Sequence, residues 1–227
     1  MLRYAYIWYK TVVCMNPLST ITEHRIIAIV RGAAPAEVLK IARALYEGGI
    51  RVLEITLNSP DALSAIAEVS GQMGKDLLVG AGTVMDARSA KKAIAAGASF
   101  ILSPVLDKKT IRATKKYGAV SIPGAFTATE ILAAYQYGGD IIKVFPASSV
   151  GAKYFKELRG PLPHIPLMPT GGIHVGNIRE YRDAGVVAFG IGGALVDVSK
   201  EMTPGYLREM TEKARLLVGS LNKREPD

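Results

Sequence analysis

Two hydrophobic rhythms alternate along this chain. Short β-branched runs, such as Ile26-Ile27-Ala28-Ile29-Val30 and Leu53-Glu54-Ile55-Thr56-Leu57, have the composition of buried strands. Longer amphipathic stretches separate them and read as helices. One phrase recurs at the junctions: the end of a helix, a glycine, then a β-branched run. It occurs at Glu47-Gly48-Gly49, Ala96-Gly97, Tyr117-Gly118, Gly138-Gly139 and Ala184-Gly185. Glycine supplies the left-handed residue that ends a helix, after which the chain enters a strand. The pattern predicts strands over 26–30, 52–57, 77–80, 100–103, 119–122, 141–145, 167–169 and 187–191. Helices are expected near 36–46, 60–73, 87–95, 108–116, 128–137, 152–158, 177–183 and 204–220. Ser59-Pro60-Asp61 reads as an N-cap followed by proline at the first helical position, and Thr127-Ala128-Thr129-Glu130 as a capping box.

Strands alternating with helices imply a parallel sheet. Eight consecutive units favour α/β architecture of the (β/α)8 TIM barrel type, parallel and eight-stranded, over an open doubly wound sheet. No G-x-G-x-x-G follows the first strand, which argues against dinucleotide binding. The expected organisation is an N-terminal extension over 1–23, a barrel over 24–220 and a tail over 221–227. Residues 1–14 lack the apolar core and small-residue cleavage site of a signal peptide. Met15 reads as the natural start, or 1–14 as a loose extension.

Composition narrows the chemistry. With 227 residues, 49% of them hydrophobic, the chain is long enough for one domain with a full core. The single cysteine, Cys14, excludes a disulfide framework and a thiolate metal cluster. His24, His164 and His174 are widely spaced and show no ligand pattern, so no metal or other cofactor is expected. No apolar run is long enough to span a bilayer. A reducing, cytoplasmic location is the default. The formal charge of +8 allows anionic partners. The densest cluster is Lys108, Lys109, Arg112, Lys115 and Lys116, with no aromatic residue interleaved, and it reads as a solvated helix face.

Two charges stand out because they interrupt apolar strands. Lys143 lies within Ile141-Ile142-Lys143-Val144-Phe145-Pro146, and Glu54 within the run at 52–57. Burial favours the neutral amine, which is a nucleophile. A lysine on an edge strand, or one paired with a carboxylate, would look the same. Alternation puts Val52, Glu54 and Thr56 on one face and the fully apolar set Leu53, Ile55 and Leu57 on the other. The second face should meet the helices, so Glu54 points inward. Both charges fall on even-numbered strands, which share side-chain layers in a barrel. They form either a structural ion pair or an amine nucleophile with a carboxylate proton shuttle.

Further polar residues cluster at the strand ends, where barrels carry function. Arg31 is suited to clamp a carboxylate or to make a salt bridge. Thr83 would bond the same carboxylate or cap a helix. Thr170-Gly171-Gly172 and Gly192-Gly193 offer backbone N–H groups for phosphate, or are simply tight turns. His174 reads as a solvated loop histidine.

Leu53-Glu54-Ile55-Thr56, Gly80-Ala81-Gly82-Thr83-Val84, Ser103-Pro104, Ile122-Pro123-Gly124, Lys143-Val144-Phe145-Pro146 and Pro169-Thr170-Gly171-Gly172-Ile173 stand in one order. Together they resemble the 2-keto-3-deoxy-6-phosphogluconate (KDPG) / 4-hydroxy-2-oxoglutarate (KHG) aldolase family over about residues 24–218. The resemblance implies a metal-free class I aldolase on a (β/α)8 barrel, usually a homotrimer, acting on a keto-acid sugar phosphate rather than on nucleic acid or membrane. It implies that Lys143 forms the Schiff base and that Glu54 is the general acid/base. It places Arg31 and Thr83 near the substrate carboxylate, and Thr170, Gly171, Gly172, Gly192 and Gly193 at the phosphate. Pro104, Pro123 and Phe145 are expected to line the pocket.

Two positions depart from the family pattern. Many members carry an arginine in the loop that here reads Asn58-Ser59-Pro60, and a serine where Gly193 stands. Carboxylate binding then falls more heavily on Arg31, and phosphate binding on backbone donors. The 2-keto-3-deoxy-6-phosphogalactonate branch shares Asn-Ser-Pro and the Arg-Gly after the first strand, but usually lacks the equivalent of Thr170. Other readings are a phosphate-binding barrel isomerase or synthase with Lys143 as general base, and a non-enzymatic basic barrel that binds RNA or another anionic partner.

Overall fold

The computed structural model describes residues 16–222. The readings placed on residues 1–14, the start at Met15 and the last five residues of the tail lie outside them. In chain order the elements are α1 (Pro17–His24), β1 (Ile26–Val30), α2 (Pro35–Glu47), β2 (Val52–Thr56), α3 (Ala62–Met73), β3 (Leu78–Gly82), α4 (Ala87–Ala95), β4 (Phe100–Leu102), α5 (Lys108–Lys116), β5 (Val120–Ile122), β6 (Gly124–Ala125), α6 (Ala128–Gln136), β7 (Ile142–Val144), α7 (Gly151–Leu158), β8 (Leu167–Pro169), α8 (Ile178–Asp183), β9 (Phe189–Ile191) and α9 (Pro204–Asn222). A short 3-10 turn, Ala147–Ser149, links β7 to α7.

Every strand pair is parallel. Six strands form one sheet in the order β5-β4-β3-β2-β1-β9, and three form another in the order β6-β7-β8. A single bridge, Thr170 to Gly190, joins the β8 side of the second sheet to β9 of the first. The chain passes from one sheet to the other at Pro123, which separates β5 from β6. Proline has no N–H for a ladder, so the strand read over 119–122 stops there and re-forms against β7.

Two apolar layers flank the sheets. Leu53, Ile55, Ile142 and Val144 pack outward with helix residues such as Ile41, Ile66 and Phe155. Ile27, Val52, Leu78, Phe100, Val120, Met168 and Ala188 converge on the inner face, with residues drawn from both sheets. These are residues at or near the strand starts. The inner face is therefore oily at the N-terminal ends, and its buried polar residues Glu54, Thr56, Lys143 and Thr170 follow further along the strands.

Three sequence readings need correction. Residues 16–23, read as part of an extension, belong to the folded unit: the Asn16 side chain caps α1, and Ile21, fully buried, joins the inner cluster. The strand expected to end at Gly80 continues to Gly82. Glycine usually weakens a strand, but here both glycines make room. A Cβ at Gly80 would overlap the Phe100 ring, and one at Gly82 would overlap the Glu54 carboxylate. Finally, α3 begins at Ala62 after Asp61, not at Pro60, and Ser59 caps no helix. The capping box at Thr127 and Glu130 is present as read.

The basic face of α5 is partly neutralised in space. Lys115 donates to Asp140 at 2.6 Å. Lys108 lies 4.5 Å from the Tyr137 ring centroid, and Lys91 of α4 lies 5.7 Å from that of Tyr117. The Tyr137 ring comes from the end of α6, whereas Tyr117 caps α5 itself and meets a lysine of α4.

Candidate active site

Strand alternation aims both unusual charges inward. On β2, Leu53 and Ile55 face the helices, so Glu54 takes the inner side and is fully buried. On β7, Ile142 and Val144 face outward, and Lys143, only 3% exposed, points in beside its register partner Met168. The backbone N–H of Lys143 donates to the Pro123 carbonyl at 2.9 Å, which fixes its strand at the switch between sheets. The Lys143 Nζ lies 5.2 Å from the Phe145 ring centroid.

The electrostatics follow from burial. Desolvation pushes the Lys143 amine below the ordinary lysine value; Glu54 opposes this and Arg31 reinforces it. Desolvation raises the Glu54 carboxyl above the ordinary value, against the pull of Lys143 and Arg31. Neither Glu54 oxygen has a hydrogen-bond partner among the described residues. Amine and carboxylate therefore sense each other without touching. A buried carboxylate without a partner is costly unless it takes up a proton or accepts one from a ligand.

A cleft of about 560 Å³ opens beyond the ends of β1, β7, β8 and β9. Its walls include Arg31, Phe145, Thr170, Gly171, Gly172, Gly192 and Gly193. Lys143 and Glu54 are not part of these walls. The Phe145 ring and the charge of Arg31 connect them to the cleft. Thr170 is 5% exposed with an unpartnered Oγ1, and Gly190 opposite it leaves the space, since a Cβ there would overlap that oxygen. The turn after β8 carries Gly171 and Gly172 at φ +94° and +77°, a region open to glycine at little cost. A Cβ at Gly172 would stand 2.7 Å from the Ser148 Cβ. The N–H groups of Gly172, Gly193 and Ala194 donate to no acceptor among the described residues. They remain available to an anion.

Seven of the expected site residues thus border one cleft, with Lys143 and Glu54 near it. Three do not line it. Thr83 is half-buried at φ +54° just past Gly82. The Pro104 backbone abuts Gly124, where a Cβ would overlap it. Pro123 is buried and serves the β5–β6 break and the Lys143 N–H. These positions shape the strand ends through backbone contacts, which residue type alone does not reveal.

Two wall residues with polar side chains escaped the sequence reading as site members. His174 accepts the Gly176 N–H through Nδ1 at 3.2 Å and borders the cleft. Asp197 accepts from the Ser199 hydroxyl at 2.6 Å and its N–H at 3.1 Å, and those bonds hold its carboxyl below the ordinary range. In sequence, each is a polar residue in a loop. Among the described residues no three His, Cys, Asp or Glu side chains converge as a metal site requires.

Gly82 gives a direct test of this packing. Gly82→Ala forces the Glu54 carboxylate to move, and a displacement of about 1 Å costs on the order of 10²-fold in rate. Steady-state turnover of a variant that still melts cooperatively measures the loss; parental turnover would separate Glu54 from catalysis.

The family model for KDPG and KHG aldolase matches residues 18–209. A 2-dehydro-3-deoxy-phosphogluconate aldolase of Treponema pallidum is 37% identical over 158 residues, 69% of this chain and 75% of that protein. A 2-dehydro-3-deoxy-6-phosphogalactonate aldolase of Escherichia coli is 34% identical over 175 residues, 77% of this chain and 85% of that one. Among solved structures, the KDPG aldolase of Legionella pneumophila, with pyruvate captured as a covalent carbinolamine, superposes with a TM-score of 0.81. It is 30% identical and covers 88% of this chain and 97% of its own. A buried amine and a buried carboxylate near a glycine-walled cleft, in an all-parallel α/β frame, thus accompany a match across most of the sequence: the chain belongs to the KDPG and KHG aldolase family.

Proposed function

We propose that this protein is a class I aldolase that cleaves 2-keto-3-deoxy-6-phosphogluconate to pyruvate and glyceraldehyde 3-phosphate. The observation that carries this is the buried Lys143 amine, lowered in pKa, facing the unpartnered Glu54 carboxylate near the cleft. The pyruvate carbinolamine of the Legionella relative supports the same chemistry. The reading includes closure of the two sheets into one (β/α)8 barrel, a homotrimer and a cytoplasmic location. No described helix is long and apolar enough to cross a membrane.

The neutral Lys143 amine attacks the C2 ketone to give a carbinolamine, and loss of water leaves an iminium. Glu54, directly or through a water, takes the proton of the C4 hydroxyl. The C3–C4 electron pair moves into the iminium, giving an enamine and free glyceraldehyde 3-phosphate. Glu54 helps return a proton to C3, and water hydrolyses the resulting iminium to release pyruvate and restore the amine. Arg31, exposed on the cleft wall, holds the carboxylate, with Thr83 assigned to the same group. Thr170 and the N–H groups around Gly171, Gly172, Gly192 and Gly193 receive the phosphate end. Phe145 walls the pocket, and Pro104 and Pro123 set the strand ends beside it through their backbones.

Borohydride added with pyruvate tests the assignment. The expected result is a permanent pyruvate-sized mass increase on Lys143. A general-base lysine in an isomerase leaves the residue unmodified, and salt-sensitive polynucleotide binding with indifference to pyruvate would favour the non-enzymatic reading.

One contact favours the galactonate epimer as a second reading. The Arg31-Gly32 and Asn58-Ser59-Pro60 motifs meet in space, where the Gly32 N–H donates to Ser59 Oγ at 2.7 Å. Kinetics on both epimers and on 4-hydroxy-2-oxoglutarate decide between them. The phosphate end has its own test. A side chain at Gly193 meets nothing within 4 Å, so Gly193→Ser is expected to fold normally. One added hydroxyl bond to a charged group lowers KM for phosphorylated substrate about tenfold and leaves the unphosphorylated substrate unchanged.

A further inference from the structure

We infer that Ser59 is a positioning residue that holds Arg31 over the cleft. The inference rests on the aldolase reading above and deepens it. Ser59 follows β2 at the end of a tight turn, its N–H donating to the Thr56 carbonyl at 3.0 Å. That turn folds the hydroxyl back toward the sheet. Ser59 Oγ lies 3.0 Å from Thr56 Oγ1 and accepts the Gly32 N–H at 2.7 Å.

The two ends of this tether differ in rigidity. Thr56 is fully buried, two residues beyond Glu54 on the same face of β2. Gly32 is exposed, at φ +78°, in the loop that follows β1. Its neighbour Arg31 is itself exposed, lines the cleft and carries a charge felt by both Glu54 and Lys143. A long exposed arginine has much conformational freedom to lose on binding a ligand. Fixing the adjacent peptide to the strand that carries Glu54 removes part of that cost beforehand. The serine hydroxyl thus sets the separation between the carboxylate anchor and the proton shuttle through two hydrogen bonds, and its sequence appearance as a helix cap conceals this role.

The test compares parent, Ser59→Ala, Ser59→Thr, Arg31→Ala and the Ser59→Ala/Arg31→Ala double variant. The pyruvate concentration dependence of borohydride trapping is read separately from the limiting trapping rate. Ser59→Ala is expected to raise half-saturating pyruvate about tenfold while the limiting rate changes by less than about twofold, the scale of one hydrogen bond serving a charged group. Ser59→Thr, which keeps the hydroxyl, is expected to restore most of the affinity. In the Arg31→Ala chain the serine change is expected to add less than about twofold, because residues acting through one another are not additive. Unchanged half-saturation in Ser59→Ala, or losses that multiply in the double variant, would overturn the role of Ser59 alone. Absence of any adduct in the parent is a different failure, which removes the aldolase reading and this inference together.

Discussion

Lys143→Met abolishes pyruvate trapping and lowers turnover on the order of 10⁶-fold, the scale for losing a nucleophile that acts within a unit. The expectation follows from burial. The amine is 3% exposed among apolar neighbours, and methionine fills a similar volume without its charge, so the fold survives the change. The pH dependence carries the same signature. Because burial holds the folded amine below the ordinary value of 10.5, the unfolded chain binds the extra proton between that lowered value and 10.5. Parent stability therefore falls as pH drops through this window, and Lys143→Met lacks that component. Trapping rate in the parent rises with pH along a titration whose midpoint lies below 10.5. Chemical denaturation across alkaline pH, together with mass spectrometry of the trapped protein, checks both halves. Normal turnover by Lys143→Met refutes the scheme.

Glu54→Gln retains imine formation but lowers turnover by roughly 10²- to 10⁴-fold, the range for removing a positioned acid/base. The split matters more than the size. Glutamine keeps the shape against Gly82 but moves no proton, so trapping by pyruvate persists while C3–C4 cleavage slows. Stability separates the two proteins as well. The folded Glu54 carboxyl is raised above its ordinary value of 4.5, so the folded state binds more protons than the unfolded chain between those values. Parent stability falls as pH rises through that interval, and the component is absent in Glu54→Gln. Equal loss of trapping and cleavage in Glu54→Gln would mean that Glu54 serves to bind or form the imine.

The fold and the site were legible to different depths in the sequence. Lys143 and Glu54 were visible because each breaks an apolar run, where an unpaired buried charge is costly. The inward orientation of Glu54 was visible because side chains alternate along a strand and the fully apolar face must meet the helices. The glycine rhythm marked where helices end. The frayed edges of the reading have equally definite causes. Ser59 resembled an N-cap because Ser-Pro-Asp carries that local chemistry, yet a distant backbone N–H at Gly32 claims its hydroxyl. Asp197 offered no signal, since a loop aspartate is ordinary until the chain beyond β9 folds over the cleft.

By itself, then, the sequence determined the alternation of strands and helices, the inner and outer faces of the strand at 52–57, and the two charges that interrupt apolar strands. These depend on periodicities of two and 3.6 residues that any short window carries. Only the tertiary structure decided that β3 runs through two glycines, that the chain changes sheets at Pro123, that Arg31 and the glycine turns share a cleft which Thr83 does not line, and that Ser59 ties one loop to the next. The reason is physical: those features depend on which atoms approach across β2, β3, β8 and β9, and such contacts form only once distant segments are packed together.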